Sequence, residues 1–160
     1  MILANSFHML LVKKNVLPTL NQPISQRLFG QNKTYRGFVL LPILSGLIIL
    51  LESLIFGPFF CSYGTDFIFG LGLGTVYLLA ELPNSFVKRR LHIPNGGHSE
   101  KYKVLQIIID RADSLIGIFI YYYFVVSISI LDSFILFLSA MIVSFFTSLL
   151  LNLLKIKRSI

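Results

Sequence analysis

Four stretches of this chain, residues 37–56, 67–82, 104–126 and 130–154, are almost unbroken runs of apolar side chains. A run of about 20 apolar residues can cross the roughly 30 Å hydrocarbon layer of a bilayer as a helix. Backbone N–H and C=O groups find no water there, so a spanning segment must satisfy them internally. The runs therefore predict an all-α protein, a polytopic transmembrane helical bundle of about four full spans, forming a single integral membrane domain over residues 1–160. The composition agrees. Charged residues make up 13% of the chain, about half the share in soluble domains, and the mean hydropathy is +0.79.

The first residues, 1–12, are also apolar, but Lys13 and Lys14 follow them. A secretory signal carries its charge first, so this is not one. Twelve helical residues reach roughly 18 Å, short of a full crossing. The expectation is a short membrane-associated helix, either half-buried or re-entrant, or the remnant of a longer span. Residues 13–36 are polar and turn-rich, with Pro18, Pro23 and Gly30.

Charge placement sets the topology. The segment 13–36, the expected loop 86–103 and the tail with Lys155, Lys157 and Arg158 hold every Lys and Arg except Arg111. The connections 59–66 and 127–129 hold none. By the positive-inside rule, four spans put all three basic segments, and both termini, on the cytoplasmic side of the cell membrane. The net charge of +7 would raise nucleic acid as a partner for a soluble chain. In a membrane protein it is loop charge that sets orientation and meets anionic lipid, and no nucleic acid is expected. The single cysteine, Cys61, excludes an intrachain disulfide and reads as structural filler.

Against this apolar background, residues 81–117 stand out. Glu81, Ser85, Lys88, Arg89, Arg90, Asp110, Arg111 and Asp113 lie at or just inside the ends of two apolar runs. Ionisable groups at that depth cost several kcal/mol unless they are paired or functional. Let the second run continue as a helix through Pro83. At about 100° per residue, Gly70, Gly74, Tyr77, Glu81, Asn84, Ser85 and Lys88 then share one stripe. Gly70 and Gly74 form a GxxxG pair that lets a neighbouring helix approach closely, on the same face as the charges. With so few spans, the pair is also compatible with a homodimer.

On the third run, Gln106, Asp110, Asp113, Ser114, Gly117 and Tyr121 form a second stripe. Asp110 and Asp113 repel each other and need compensating charge from Arg111, from the basic run Lys88, Arg89 and Arg90, or from a bound cation. Two readings stay open. The acids pair with Arg111, Lys88 and Arg89 and merely hold helices together, or they form a Mg²⁺–phosphate site. Hard carboxylate ligands suit Mg²⁺, and nearby Lys and Arg suit phosphate.

Three motifs in order resemble those of a known family. Leu28-Phe29-Gly30 followed by Asn32-Lys33-Thr34-Tyr35-Arg36-Gly37 is similar to the FGxxKTxxG element of the CDP-diacylglycerol synthases (phosphatidate cytidylyltransferases). It is closer still to the NKTxRG of the CDP-archaeol synthases. Residues 81–90, from Glu81-Leu82-Pro83-Asn84-Ser85 to Lys88-Arg89-Arg90, resemble DLxxSxxKR. Asp110-Arg111-Ala112-Asp113-Ser114 resembles the closing DRxD. The motif core covers residues 28–117, and Leu3-Ala4-Asn5-Ser6-Phe7-His8 looks like the start of the archaeol-type family. Glu81 stands where the family has Asp.

The resemblance implies a Mg²⁺-dependent membrane enzyme, a nucleotidyltransferase of phospholipid biosynthesis. It would transfer CMP from CTP to a lipid phosphate at the cytoplasmic face and release pyrophosphate. Carried over by position, Glu81, Asp110 and Asp113 would hold metal. Lys88, Ser85, Asp110 and Asp113 would be the catalytic set, with Ser85 in a positioning role. Lys33, Thr34, Arg36, Asn84, Arg89 and Arg111 would bind substrate. The alternatives are another CTP- or lipid-phosphate-using membrane enzyme, such as a polyprenol kinase, or a non-enzymatic small membrane subunit.

The remaining polar residues read as structural. Glu52 either serves a path across the bundle or snorkels. His92 and His98 are loop residues. Tyr121, Tyr122 and Tyr123 are packing residues. Asp132 marks a boundary or caps the last helix. Ser139, Ser144, Thr147, Ser148 and Asn152 are placed to hydrogen-bond helices together.

Overall fold

The structure, a computed structural model, describes residues 1–95, 97 and 103–153, with the backbone alone at residues 103, 104, 148, 151 and 152. His98, Lys101, Lys155, Lys157 and Arg158, and the side chains of Lys103, Ser148 and Asn152, lie outside the described residues. The helices are α1 (Ile2–Lys13), α2 (Gln26–Phe29), α3 (Tyr35–Phe56), α4 (Tyr63–Arg90), α5 (Lys103–Val126) and α6 (Ile130–Leu153), with a 3₁₀ turn at Pro18–Leu20. Among the described residues the extended pairing is a single isolated bridge between Pro23 and Thr34. The all-α class is as expected. Three helices, α3, α4 and α6, are long and apolar enough to cross a membrane. The 24-residue α5 is the remaining one of the four expected spans, and Asp110, Arg111 and Asp113 set it apart from the other three.

Local chemistry places the helix ends. The Thr34 hydroxyl accepts from the Gly37 amide at 3.4 Å and starts α3, which stops at Gly57, φ +90°. Ser62 and Thr65 form a reciprocal capping box at the start of α4. The fully buried Asp66 accepts from the amides of Phe59 and Phe60 at 2.9 and 3.0 Å and pins the turn between α3 and α4. Cys61 sits exposed in this turn rather than in the packed interior. At the other connection, Ser129 accepts from the Asp132 amide at 3.1 Å and donates to its carboxylate at 2.8 Å. Ser129 is therefore the cap of α6, and Asp132 supports it.

Pro83 does not end α4, which runs on to Arg90. The basic loop expected from residue 86 thus begins only after the helix. Lys88, Arg89 and Arg90 are its last turn, where the carbonyl end favours cations. With 28 residues, α4 is roughly 42 Å long. It overhangs a roughly 30 Å hydrocarbon layer by some two turns.

Packing corrects the expected partner of the glycine stripe. A Cβ on Gly74 would lie 2.6 Å from Pro42 Cα, and one on Gly70 would lie 2.7 Å from Gly46 Cα, so both face α3. The charged end of the stripe meets α5 instead. The GxxxG pair is occupied within the chain, so it offers no ground for a homodimer. Between α4 and α5, Gly117 admits Val76 and Ala80. The Tyr121 hydroxyl donates to the Phe69 carbonyl at 3.3 Å, and its ring stacks on Phe69, as expected of a packing residue. Ser139 and Thr147 donate to Leu136 and Val143 of their own helix, not across to a neighbour.

The short first helix is built into the bundle. Ala4 is buried with Leu41 and Leu78, the Ser45 hydroxyl meets the Met1 sulfur at 3.2 Å, and Asn5 Nδ2 donates to the Tyr77 hydroxyl at 3.2 Å.

Candidate functional site

The overhanging end of α4, the charged end of α5 and the loop before α3 enclose a cavity of ≈ 400 Å³. Its walls carry Lys33, Glu81, Asn84, Ser85, Lys88, Arg89, Asp110 and Asp113. Residues from all three sequence motifs thus meet in one place, although Lys33 and Glu81 lie 48 positions apart.

The charges are interleaved. Lys33 pairs with Glu81, and Lys88 pairs with Asp110. The Asn84 amide donates to Asp110 Oδ1 at 2.7 Å and to Asp113 Oδ2 at 2.8 Å, so two carboxylates face each other across one NH₂ group. The other Asp113 oxygen accepts from the Ser114 amide at 2.5 Å. Of the three candidate counter-charges for Asp110, Lys88 forms the ion pair. Arg111 follows Asp110 in sequence but turns toward α6, its guanidinium 4.8 Å from the centre of the Phe145 ring.

Arg89 holds the neighbouring loop in place. Its Nη2 donates to the Pro94 carbonyl at 3.4 Å, and its side chain packs on Gly30. Gly30 has φ +85°, and a Cβ there would collide with Asn95. The backbone conformation is what calls for the glycine of the FG element, and a side chain there would also displace that of Asn95.

Thr34 and Arg36 do not reach this cavity. They line an adjacent one of ≈ 590 Å³, which shares Lys33 and Glu81 with it. Thr34 is the α3 cap. Arg36 is buried and donates to Asn15 Oδ1 at 3.3 Å and the Val16 carbonyl at 3.2 Å, tying down the segment after α1. Among the described residues, Arg36 Nε is buried without a hydrogen-bond partner, as is His8 Nε2 in the same cavity. Burial holds the His8 imidazole below its ordinary pKa. Arg36 and Lys33 push the same way, and Glu81 opposes them.

Arg111 lines a third cavity, of ≈ 180 Å³, with Asn5, Ser114, Ser144 and Thr147. This cavity shares Glu81 and Asp110 with the first.

Among the described residues, no three of His, Cys, Asp and Glu are gathered into a metal-ligand set. Glu81 is held by Lys33, apart from the Asp110–Asp113 pair. The donor chemistry nonetheless fits Mg²⁺, because all three carboxylates line one cavity and two of them converge on a single small group. The contribution of α1 was not read as part of the site from sequence. Asn5, His8, Met9 and Val12 recur at helical spacing and line the second cavity. That periodicity was the available signal.

A family model described as CarS-like, CDP-archaeol synthase, matches residues 19–160. The CDP-archaeol synthase of Staphylothermus marinus is 36% identical over 97 residues, covering 61% of this chain and 48% of that protein. The CDP-archaeol synthase of Pyrococcus furiosus is 35% identical over 71 residues, covering 44% of this chain and 42% of that protein. The chain thus spans about half the length of the curated relatives it matches. No solved structure matches.

Proposed function

The chain belongs to the CDP-archaeol synthase family, and on that footing we propose that it transfers CMP from CTP to the phosphate of a membrane lipid. An oxygen of the lipid phosphate forms a bond to the α-phosphorus of CTP. The bond from that phosphorus to the bridging oxygen breaks, and pyrophosphate leaves with the electron pair. The observation that carries the reading is the single cavity in which Lys33, Lys88 and Arg89 surround Glu81, Asp110 and Asp113 at the basic end of the bundle. Both reactants are strongly anionic, and fixed cations neutralise and align them.

Glu81, Asp110 and Asp113 are the residues that would hold Mg²⁺, which when bound supplies positive charge against the CTP phosphates. Lys88 and Lys33 then exchange carboxylate for phosphate. Each ammonium is already inside the cavity, so the exchange needs a side-chain swing and no rearrangement of helices. Ser85 and Asn84 orient the reacting groups by hydrogen bonding, and no side-chain nucleophile is needed. A site at the cytoplasmic face, the side the positive-inside rule favours for the basic segments, would have CTP at hand.

The test is purified protein with radiolabelled CTP, Mg²⁺ and a panel of lipid phosphates. A CDP-lipid with equimolar pyrophosphate supports the reading. CDP with a phosphorylated alcohol would replace it with a kinase. Asp110→Asn and Asp113→Asn are expected to abolish turnover while retaining wild-type helicity.

A further inference from the structure

Cavity walls are shared in a definite order. Glu81 and Asp110 line both the central cavity and the small cavity beside Arg111. Ile2, Leu115 and Ile118 line both the small cavity and a cleft of ≈ 280 Å³. The cleft lies between α1, α5 and α6, and its walls are largely apolar, with Phe119, Leu136, Phe137 and Ala140 among them. Along this path the lining passes from carboxylates, to a guanidinium with amide and hydroxyl groups, to hydrocarbon. A lipid phosphate has the same sequence of chemistries from head to tail.

Arg111 gives the path its polarity. Its Nη1 is buried and has no hydrogen-bond partner among the described residues. Buried polar groups are nearly always paired, and an orphaned guanidinium nitrogen calls for an acceptor. Phe145 holds the guanidinium plane from the α6 side. Asn5 and Ser144 supply further polar groups around it. The cationic side chains of the central and second cavities, Lys13, Lys33, Arg36, Lys88 and Arg89, line neither the small cavity nor the cleft.

We propose that the small cavity and the apolar cleft are the acceptor-lipid site, with the lipid phosphate on Arg111 and one hydrocarbon chain between α5 and α6. The nucleotide then occupies the larger basic cavities, and the two phosphates meet at Glu81 and Asp110. The proposal rests on the transferase reading for the identity of its ligand, and a binding experiment separates the two.

The experiment uses detergent-solubilised full chain and two probes, radiolabelled CTP without lipid and a tritiated glycerol-diether phosphate without nucleotide. The matching dephosphorylated diether is the control. Arg111→Met is expected to weaken diether-phosphate binding by about tenfold or more, the loss of a charge-assisted contact, with CTP binding unchanged. Arg111→Lys is expected to fall between the two, since an ammonium keeps the charge but not the fork. Ala140→Phe is expected to exclude the long-chain diether phosphate and retain a dihexanoyl glycerol phosphate.

Diether-phosphate binding that survives Arg111→Met, or selective loss of CTP binding, overturns the site. If Arg111→Met loses both ligands through misfolding, Ala140→Phe decides, and equal binding of long and short chains overturns the cleft. Wild-type protein that binds the lipid through Arg111 but never turns it over refutes the transferase reading alone.

Discussion

Asn84→Ala is the sharpest probe of the central cavity, because one amide group separates two carboxylates. Each of its hydrogen bonds goes to a charged acceptor, an interaction that contributes about 1.5–3 kcal/mol. The lower end applies here. Asp110 keeps Lys88 on its other oxygen, and Asp113 keeps the Ser114 amide. Two bonds at that value give a loss of about 3 kcal/mol. For a chain of this size, about 2–4 °C of Tm accompanies each kcal/mol, so the midpoint should fall by about 6–12 °C in chelator.

If the two carboxylates are a cation site, Mg²⁺ takes the place of the missing NH₂ group. At a hundred times its Kd, a ligand stabilises by about 2.7 kcal/mol, enough to restore most of the loss. The assay is thermal unfolding by far-ultraviolet circular dichroism in detergent, with chelator and with excess Mg²⁺. A variant that melts with wild type in chelator refutes the bridging role. A variant that melts early and gains nothing from Mg²⁺ refutes the cation site.

Three further perturbations test other parts of the molecule. Lys88→Met leaves Asp110 without this ion-pair partner and would remove the proposed phosphate contact. The expected result is a KM for CTP raised by about tenfold or more, with kcat reduced as well, read from steady-state turnover. Gly74→Leu drives a side chain into the backbone of α3 at Pro42 and Leu41. A loss of about 1–3 kcal/mol, seen as a lower Tm, is expected from such overpacking, while Gly57→Ala, where a Cβ meets nothing within 4 Å, tests backbone strain alone.

His8 has a folded-state pKa below its unfolded value. Its contribution to stability is therefore complete above roughly pH 6.5 and is lost as the pH falls through the folded value, because the unfolded chain takes up the proton first. Wild type should lose Tm between neutral and mildly acidic pH, and His8→Gln should lose less over the same range.

Spacing along single helices carried much of what could be read from sequence. The stripe from Tyr77 to Lys88 is there, and α4 does continue through Pro83. Spacing could not show which neighbour a stripe meets. Gly70 and Gly74 share a face with Glu81, yet they pack on α3, because a 28-residue helix contacts different partners at its two ends. Adjacency also misleads. Arg111 follows Asp110, but about 100° of helical rotation sends it to α6 and leaves Lys88 as the counter-ion. Thr34 and Arg36 line the second cavity and also act as a cap and a loop tie, contacts that their motif alone does not reveal. The part of α1 in the cavity walls was hidden by its length, since a short apolar helix says nothing about where it docks.

On the proposed function, the overhang of α4 would couple turnover to the thickness of the membrane. If α4 crosses the bilayer from its first turn, Lys88 in its last turn stands clear of the hydrocarbon only while the lipid layer is thinner than the helix. A bilayer thicker by one helical turn, about 5.4 Å, would draw the ion-paired end toward lipid tails, where its charges are costly. Tilting is the usual relief for a long helix, but α3 and α5 are packed against α4 and would have to tilt with it. In vesicles of graded chain length, turnover should therefore pass through an optimum thickness even when the headgroup is kept the same. On that reading the helix would serve as a gauge that matches the plane of the proposed site to the membrane around it.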